Sequence, residues 1–317
     1  MKKIALEEHF MCPTMVDYWM ATVEDLPEAA QQNILGALGD FDERRLAEMD
    51  VAGVDLAVLS LAGPGVQIER DTATAVRQAR TANDFLADRI RRNPSRYSGF
   101  AHLPMQSATE AAAELKRCVQ ELGLPGALIN GQTHGVYLDD PQYDPFWAMA
   151  ESLGAPIYLH PADPEALYAG WNGYKELTRA TWGWTVETAT HALRMVFGGV
   201  FDRFPGARLV LGHMGETLPY LLWRLDSRAK LYKREKPLGL EPSQYIRRNI
   251  YVTTSGQCAI EPLRCALDAL GEDKVMFAID YPFESSAIAG RFLEEVGISE
   301  ITRAKIAHQT AQTLFRL

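Results

Sequence analysis

Along the chain, short apolar runs alternate with stretches in which apolar residues recur every three or four positions. The first run, residues 4–6, suits a buried strand. Side chains alternate faces along a strand, so Glu7 and His9 point one way and Glu8 the other. Residues 12–38 follow as an irregular segment rich in Met and aromatic side chains, expected to form a loop that covers the end of that strand. Residues 42–50 predict a short helix with Arg44, Arg45 and Glu48 solvated. Residues 54–61 predict a continuous apolar strand, ended by Gly63-Pro64-Gly65. Residues 71–93 carry helical periodicity, with Val76, Ala79, Phe85, Leu86 and Ile90 on one stripe and Pro94 just past the end. Residues 97–103 are the next strand, closed by Pro104.

The same unit then repeats. Helix 108–122 leads to strand 126–129, helix 144–153 to strand 155–160, and helix 184–204 to strand 207–211. Helix 218–231 and the basic stretch after it lead to strand 250–254, helix 260–270 leads to strand 274–279, and the last helices occupy 287–317. Eight strands each followed by helical sequence, with no flexible linker or shift in composition, predict a single α/β domain, a (β/α)8 TIM-type barrel spanning residues 1–317. An open doubly wound sheet would place a glycine-rich phosphate turn after its first strand, where this chain has Glu7-Glu8-His9-Phe10.

Composition narrows the partners. With 47% hydrophobic residues the chain can bury a large core, and a net charge of −9 with no Lys/Arg run argues against a polyanionic partner such as nucleic acid. The four cysteines, Cys12, Cys118, Cys258 and Cys265, have neither CxxC nor zinc-ribbon spacing, which fits reduced, apolar thiols in the cytoplasm. Charged residues interrupt the first apolar run at once, unlike a signal peptide, and no apolar stretch approaches the roughly 18 residues of a membrane helix. The expectation is a cytoplasmic protein with a small-molecule substrate.

In a barrel, catalytic side chains gather at the C-terminal ends of strands. Such ends carry Glu7-Glu8-His9, His160-Pro161, His213 in Gly212-His213-Met214-Gly215-Glu216, and Asp280 in Asp280-Tyr281-Pro282. Three of the seven histidines therefore sit at strand ends. A carboxylate and an imidazole side by side suit a divalent cation such as Zn²⁺ or Mn²⁺, completed by ligands from other strands. His102 suits either the site or a barrel layer; His134 belongs to a solvated loop, His191 packs within a helix and His308 lies on the last helix's surface.

This ordered set resembles the amidohydrolase superfamily, and more closely its decarboxylase branch acting on ortho-hydroxybenzoates such as γ-resorcylate, 2,3-dihydroxybenzoate and 5-carboxyvanillate. The likeness covers the whole chain, including Ala5-Leu6-Glu7-Glu8-His9-Phe10, Pro64-Gly65-Val66-Gln67, Tyr143-Asp144-Pro145-Phe146-Trp147, Glu187-Thr188-Ala189 with His191, and Thr253-Thr254-Ser255-Gly256. It implies that Glu7, His9, His160 and Asp280 hold one divalent ion (Zn²⁺ or Mn²⁺, with Mg²⁺ an alternative), that a small aromatic hydroxy acid chelates it, and that Asp280 is the acid that protonates the ring. The bridging lysine common in related hydrolases is missing, since Ile129-Asn130-Gly131 follows the fourth strand; this favours one metal. His213 is expected to bond the substrate or Asp280, and Glu216 either orients His213 or is an acid favoured by a helix N-terminus. Phe283 matches the family's position after the aspartate; Trp19, Asn130 and Trp182 are candidate walls for a flat ring. Arg228 is a candidate for a substrate carboxylate, a neighbouring subunit or plain helix surface. The resemblance also implies a homodimer or homotetramer, with residues 230–248 adding surface. The alternatives are a mononuclear hydrolase with Asp280 as base on metal-bound water, and a metal-binding barrel without catalysis.

Overall fold

The structure is a computed structural model describing residues 1–317. Its parallel strands are β1 Ile4–Phe10, β2 Leu56–Leu61, β3 Tyr97–Gly99, β4 Ala101–His102, β5 Ala127–Asn130, β6 Ile157–His160, β7 Leu209–Leu211, β8 Ile250–Thr253 and β9 Val275–Met276. They pair in chain order, β1-β2-β3 and then β4 through β9. β3 and β4 are the third expected strand, divided at Phe100, whose N–H turns to Leu59 O while the next residue, Ala101, bonds Gly126 O. At the other seam the chain after β9 returns to β1 through a parallel bridge between Glu8 and Tyr281, with His9 N–H donating to Tyr281 O at 2.8 Å. The fold is the expected (β/α)8 barrel.

Both faces of a parallel barrel are covered, so its strands are apolar on both sides. Ile4, Leu6, Val58, Phe100, Leu128, Tyr158, Val210, Met276 and Ala278 pack together inside it, and Ala311, Leu314 and Phe315 from the last helix join them. A separate, larger core lies between strands and helices. The helices have the expected signals: Asp71 caps Thr72–Arg92 by accepting from Thr74 N–H, with Ala75, Ala79, Ala82 and Leu86 buried. Helix Asp144–Leu153 stops at Gly154, whose φ of 62° supplies the left-handed cap. No helix is long and apolar enough to cross a membrane.

Three expectations need correction. The segment 12–38 is not irregular: it holds helices Val16–Met20 and Glu28–Gly39, but the second buries only Ala37 and Leu38, too little to produce an apolar stripe. Arg45 is not solvated; it is 1% exposed. The last strand is only two residues long, because beyond it the Thr254 hydroxyl takes the place of a ladder, bonding both Ala278 N and Ala278 O.

Candidate active site

A bulge builds the first wall of the site. Plain alternation would put Leu6 and Glu7 on opposite faces, but the register of β1 against β2 slips between Ala5 and Glu8. Leu6 packs inside the barrel while Glu7 also turns inward and accepts a hydrogen bond from Tyr158 Oη, itself an interior side chain. His160 follows Tyr158 by two residues and so shares its face. Asp280 stands in the same relation to the interior Ala278 and has a left-handed φ of 82°.

These elements bring one donor atom each from Glu7, His9, His160 and Asp280 within 4.8 Å of one another. His9 Nε2 is 3.2 Å from Asp280 Oδ1, and His160 Nε2 is 3.5 Å from Glu7 Oε1. The Pro161 carbonyl can only accept, so His160 carries its proton on Nδ1, 2.8 Å away, and turns a bare Nε2 inward. His9 Nδ1 is likewise occupied, by Ser60 Oγ at 3.1 Å. Burial, and then the neighbouring His9, push His160 down to about 3, so it is a neutral imidazole at physiological pH. Glu7 Oε1 and His9 Nε2 are buried without any hydrogen-bond partner. Orphaned polar atoms in a dry site are costly unless a ligand answers them, and this donor set of two imidazole nitrogens and two carboxylates fits a divalent cation.

His213 and Glu216 form the opposite wall. Residues 213–217 all have positive φ, from 49° at His213 to 81° at Gly215, a strained turn of the kind held at functional sites. Gly212 precedes it because a Cβ there would meet Glu7 Oε2 at 2.7 Å and Ser255 Oγ at 2.9 Å. His213 Nδ1 pairs with Glu216 Oε1 at 2.7 Å and its Nε2 lies 3.6 Å from Asp280 Oδ2. Burial pushes His213 down, but the charges of Glu216 and Glu7, the nearby Asp280 carboxylate and the Glu216 bond outweigh it and raise it well above its ordinary value. Burial likewise pushes the Asp280 carboxyl up, and the adjacent His213 and His9 imidazoles reverse this and hold it well below the usual carboxylate range. In this pair the proton resides on His213.

The other candidates separate. The Phe283 ring, 47% exposed, is centred 5.7 Å from that of His9. Asn130 pairs in register with His160, and its buried carboxamide has both polar atoms unpartnered. Trp19 is buried in the outer core. Trp182, 46% exposed, precedes helix Gly183–Phe197, and Arg228 is exposed in the last turn of helix Leu218–Ala229; neither bonds the four donors. His102 is buried, its Nε2 accepting from Val66 N–H and its Nδ1 unpartnered, and His191 packs, accepting from Leu138 N–H. Sequence reasoning missed Tyr158, Ser60, Thr253 and Ser255. Tyr158 was recoverable, two residues before His160 on one strand, and Thr253 and Ser255 stood in the Thr253-Thr254-Ser255-Gly256 stretch without an assigned role; Ser60 had no local signal.

Comparison with known proteins agrees with this geometry. The family model described as Amidohydrolase matches residues 16–317. A γ-resorcylate decarboxylase from Polaromonas sp. strain JS666 is 40% identical over 324 residues, covering 99% of this chain and 98% of that protein. A crystal structure of dihydroxybenzoic acid decarboxylase from the same organism, with bound manganese and the inhibitor 2-nitroresorcinol, superposes with a TM-score of 0.93 at 40% identity, covering 100% of this chain and 97% of that one. The crystal structure of 5-carboxyvanillate decarboxylase from Sphingomonas paucimobilis gives a TM-score of 0.94 at 38% identity, covering 100% and 99%. With the fold, the strand-end constellation and full-length relatives in accord, the chain belongs to the amidohydrolase superfamily, in its decarboxylase branch.

Proposed function

We propose that this protein is a metal-dependent, non-oxidative decarboxylase of a benzoate bearing an ortho hydroxyl, such as 2,6-dihydroxybenzoate or 2,3-dihydroxybenzoate, with one divalent ion per chain held by Glu7, His9, His160 and Asp280. The observation that carries this reading is the convergence of those four donors, two of their atoms orphaned, beside His213, whose Nε2 lies 3.6 Å from Asp280 Oδ2. The relatives' names and the manganese in one of their structures support it.

When bound, the ion anchors the substrate's carboxylate and ortho oxygen as a chelate. The chain's own groups perform the proton chemistry. Asp280 turns Oδ1 toward His9 and Oδ2 toward His213, so a proton held on His213 passes to Oδ2 and from there to the ring carbon that bears the carboxylate. Protonation breaks aromaticity at that carbon. The electron pair of its bond to the carboxylate then returns to the ring as carbon dioxide leaves. Glu216 steadies the imidazolium, and Phe283, above His9, walls the ring and excludes water. Asn130 is well placed to answer a further ring oxygen, while Trp19, Trp182 and Arg228 have no comparable support.

We also infer a cytoplasmic homodimer or homotetramer. Four free cysteines support the compartment, and the exposed Tyr220, Trp223, Leu231 and Tyr232, along and just past helix Leu218–Ala229, support burial of that face in an assembly. Incubation with a panel of hydroxybenzoates, with metal content measured on the same preparation, tests the reading; carbon dioxide release restricted to ortho-hydroxybenzoates and dependent on a stoichiometric ion is the expected result.

A further inference from the structure

Beneath the four donors runs a line of hydroxyls that the proton chemistry above does not use. Tyr158 Oη bonds Glu7 Oε2; Thr253 Oγ1 lies 2.7 Å from Tyr158 Oη; Ser255 Oγ lies 3.1 Å from Thr253 Oγ1; and His213 N–H donates to Ser255 Oγ at 3.1 Å. Tyr158, Thr253 and Ser255 are all fully buried. The direction of the line follows from its ends. A carboxylate only accepts and a backbone N–H only donates. Tyr158 has one proton, committed to Glu7, so Thr253 must donate to Tyr158. That leaves the Ser255 proton for Thr253 Oγ1 or for the Glu7 carboxylate, which it also faces. Either way every hydroxyl proton points toward Glu7, and bonds aligned in this way polarise one another.

The consequence is geometric. Tyr158 occupies Glu7 Oε2, and the other oxygen, Oε1, is the one without a partner, turned toward His160 Nε2. We propose that Tyr158 is a positioning residue for the ion site: backed by Thr253, within a network in which Ser255, held by the His213 N–H, also directs its proton toward Glu7, it locks Glu7 so that only Oε1 is offered to the ion. This rests on the metal-dependent reading above. It also gives the interior tyrosine a reason beyond packing, since phenylalanine would fill the same space. The chain further ties the strained His213 turn to the ligand carboxylate, so the two walls of the site are set by one network.

The test is ion affinity of the purified full chain, measured by chelator competition with Mn²⁺, for the wild type, Tyr158→Phe, Thr253→Val and the double variant. Tyr158→Phe is expected to bind Mn²⁺ about 10–100-fold more weakly, the usual effect of removing a partner of a ligating side chain. Thr253→Val is expected to weaken binding by a smaller factor and to add nothing in the Tyr158→Phe background, because the chain is already cut. In the Co²⁺-loaded protein the visible absorption bands are expected to change in Tyr158→Phe, as the freed Oε2 alters coordination. Affinity of Tyr158→Phe within twofold of wild type, additive losses in the double variant, or an unchanged Co²⁺ spectrum would each overturn the proposal. If Tyr158→Phe fails to fold, Thr253→Val alone decides it, and wild-type affinity there counts against the chain. A wild type that binds no divalent ion overturns the functional reading itself, a distinct outcome.

Discussion

His9 and Asp280 come from opposite ends of the chain, yet His9 Nε2 lies 3.2 Å from Asp280 Oδ1. The two strand ends that carry them share a single bridge, between Glu8 and Tyr281. Buried polar groups hold this seam from outside the barrel. Arg45 donates to His9 O at 2.6 Å and to Asp40 O at 2.9 Å, and its guanidinium lies 4.6 Å above the Tyr281 ring, while Glu8 accepts from Ile279 N–H at 3.0 Å. Burial pushes Glu8 up to about 8, and the Ile279 bond and the Arg45 charge restrain that rise.

Replacing Arg45 by Met therefore removes the cation that faces Glu8 and leaves the His9 carbonyl unanswered. Stability to urea is expected to fall by about 3 kcal/mol, the scale for leaving buried carbonyls unanswered. Arg44, exposed one residue earlier, is the control, with an expected change of less than about 0.5 kcal/mol on replacement by Met.

The His213–Glu216 pair sets a pH dependence. The folded-state pKa of His213 is raised, so its contribution to stability is fully present below the unfolded value near 6.5 and is lost as pH rises through the folded value. Activity follows the same limb, because the proton must be on His213 to be delivered. Glu216→Gln removes the nearest charge that raises this pKa. The alkaline limb of the kcat/KM profile is expected to move to lower pH in that variant, and an unmoved limb would separate His213 from the proton path.

Asp280→Asn keeps an oxygen that can face the ion but deletes the conduit between His213 and the ring. With saturating metal, kcat is expected to fall by about 10² to 10⁴, the span for a lost general acid, while a substoichiometric amount of ion is not expected. Near-normal kcat in this variant would remove Asp280 from the chemistry.

Phe283→Ala opens the wall above His9. An aromatic contact of this kind is worth about 1 kcal/mol beyond its area, so KM for the benzoate is expected to rise several-fold, with a smaller effect on kcat. A KM unchanged within twofold would place the substrate ring elsewhere.

Much of this molecule was legible because barrel strands carry apolar runs and end in punctuating glycines and prolines. Gly63-Pro64-Gly65 after β2 and Pro161 after β6 mark strand ends, so Glu7, His9, His160, His213 and Asp280 could be placed on one rim without coordinates. What stayed hidden depends on partners distant in sequence. The β1 bulge that turns Leu6 and Glu7 the same way depends on its pairing with β2. Arg45 looks like any helix-surface cation until helix Arg44–Ala52 is laid against the seam. Thr254 replaces a ladder only because Ala278 runs beside it.

The most direct measurement is turnover of a dihydroxybenzoate in heavy water, with the products analysed by mass spectrometry and NMR. Protonation of the ring through Asp280 requires that the phenolic product carry one deuterium at the carbon that lost its carboxylate, that carbon dioxide appear in equal amount, and that benzoates lacking the ortho hydroxyl be inert. Equal turnover of benzoates without that hydroxyl, or a hydrolysis product formed without carbon dioxide, would contradict the mechanism and favour a hydrolase.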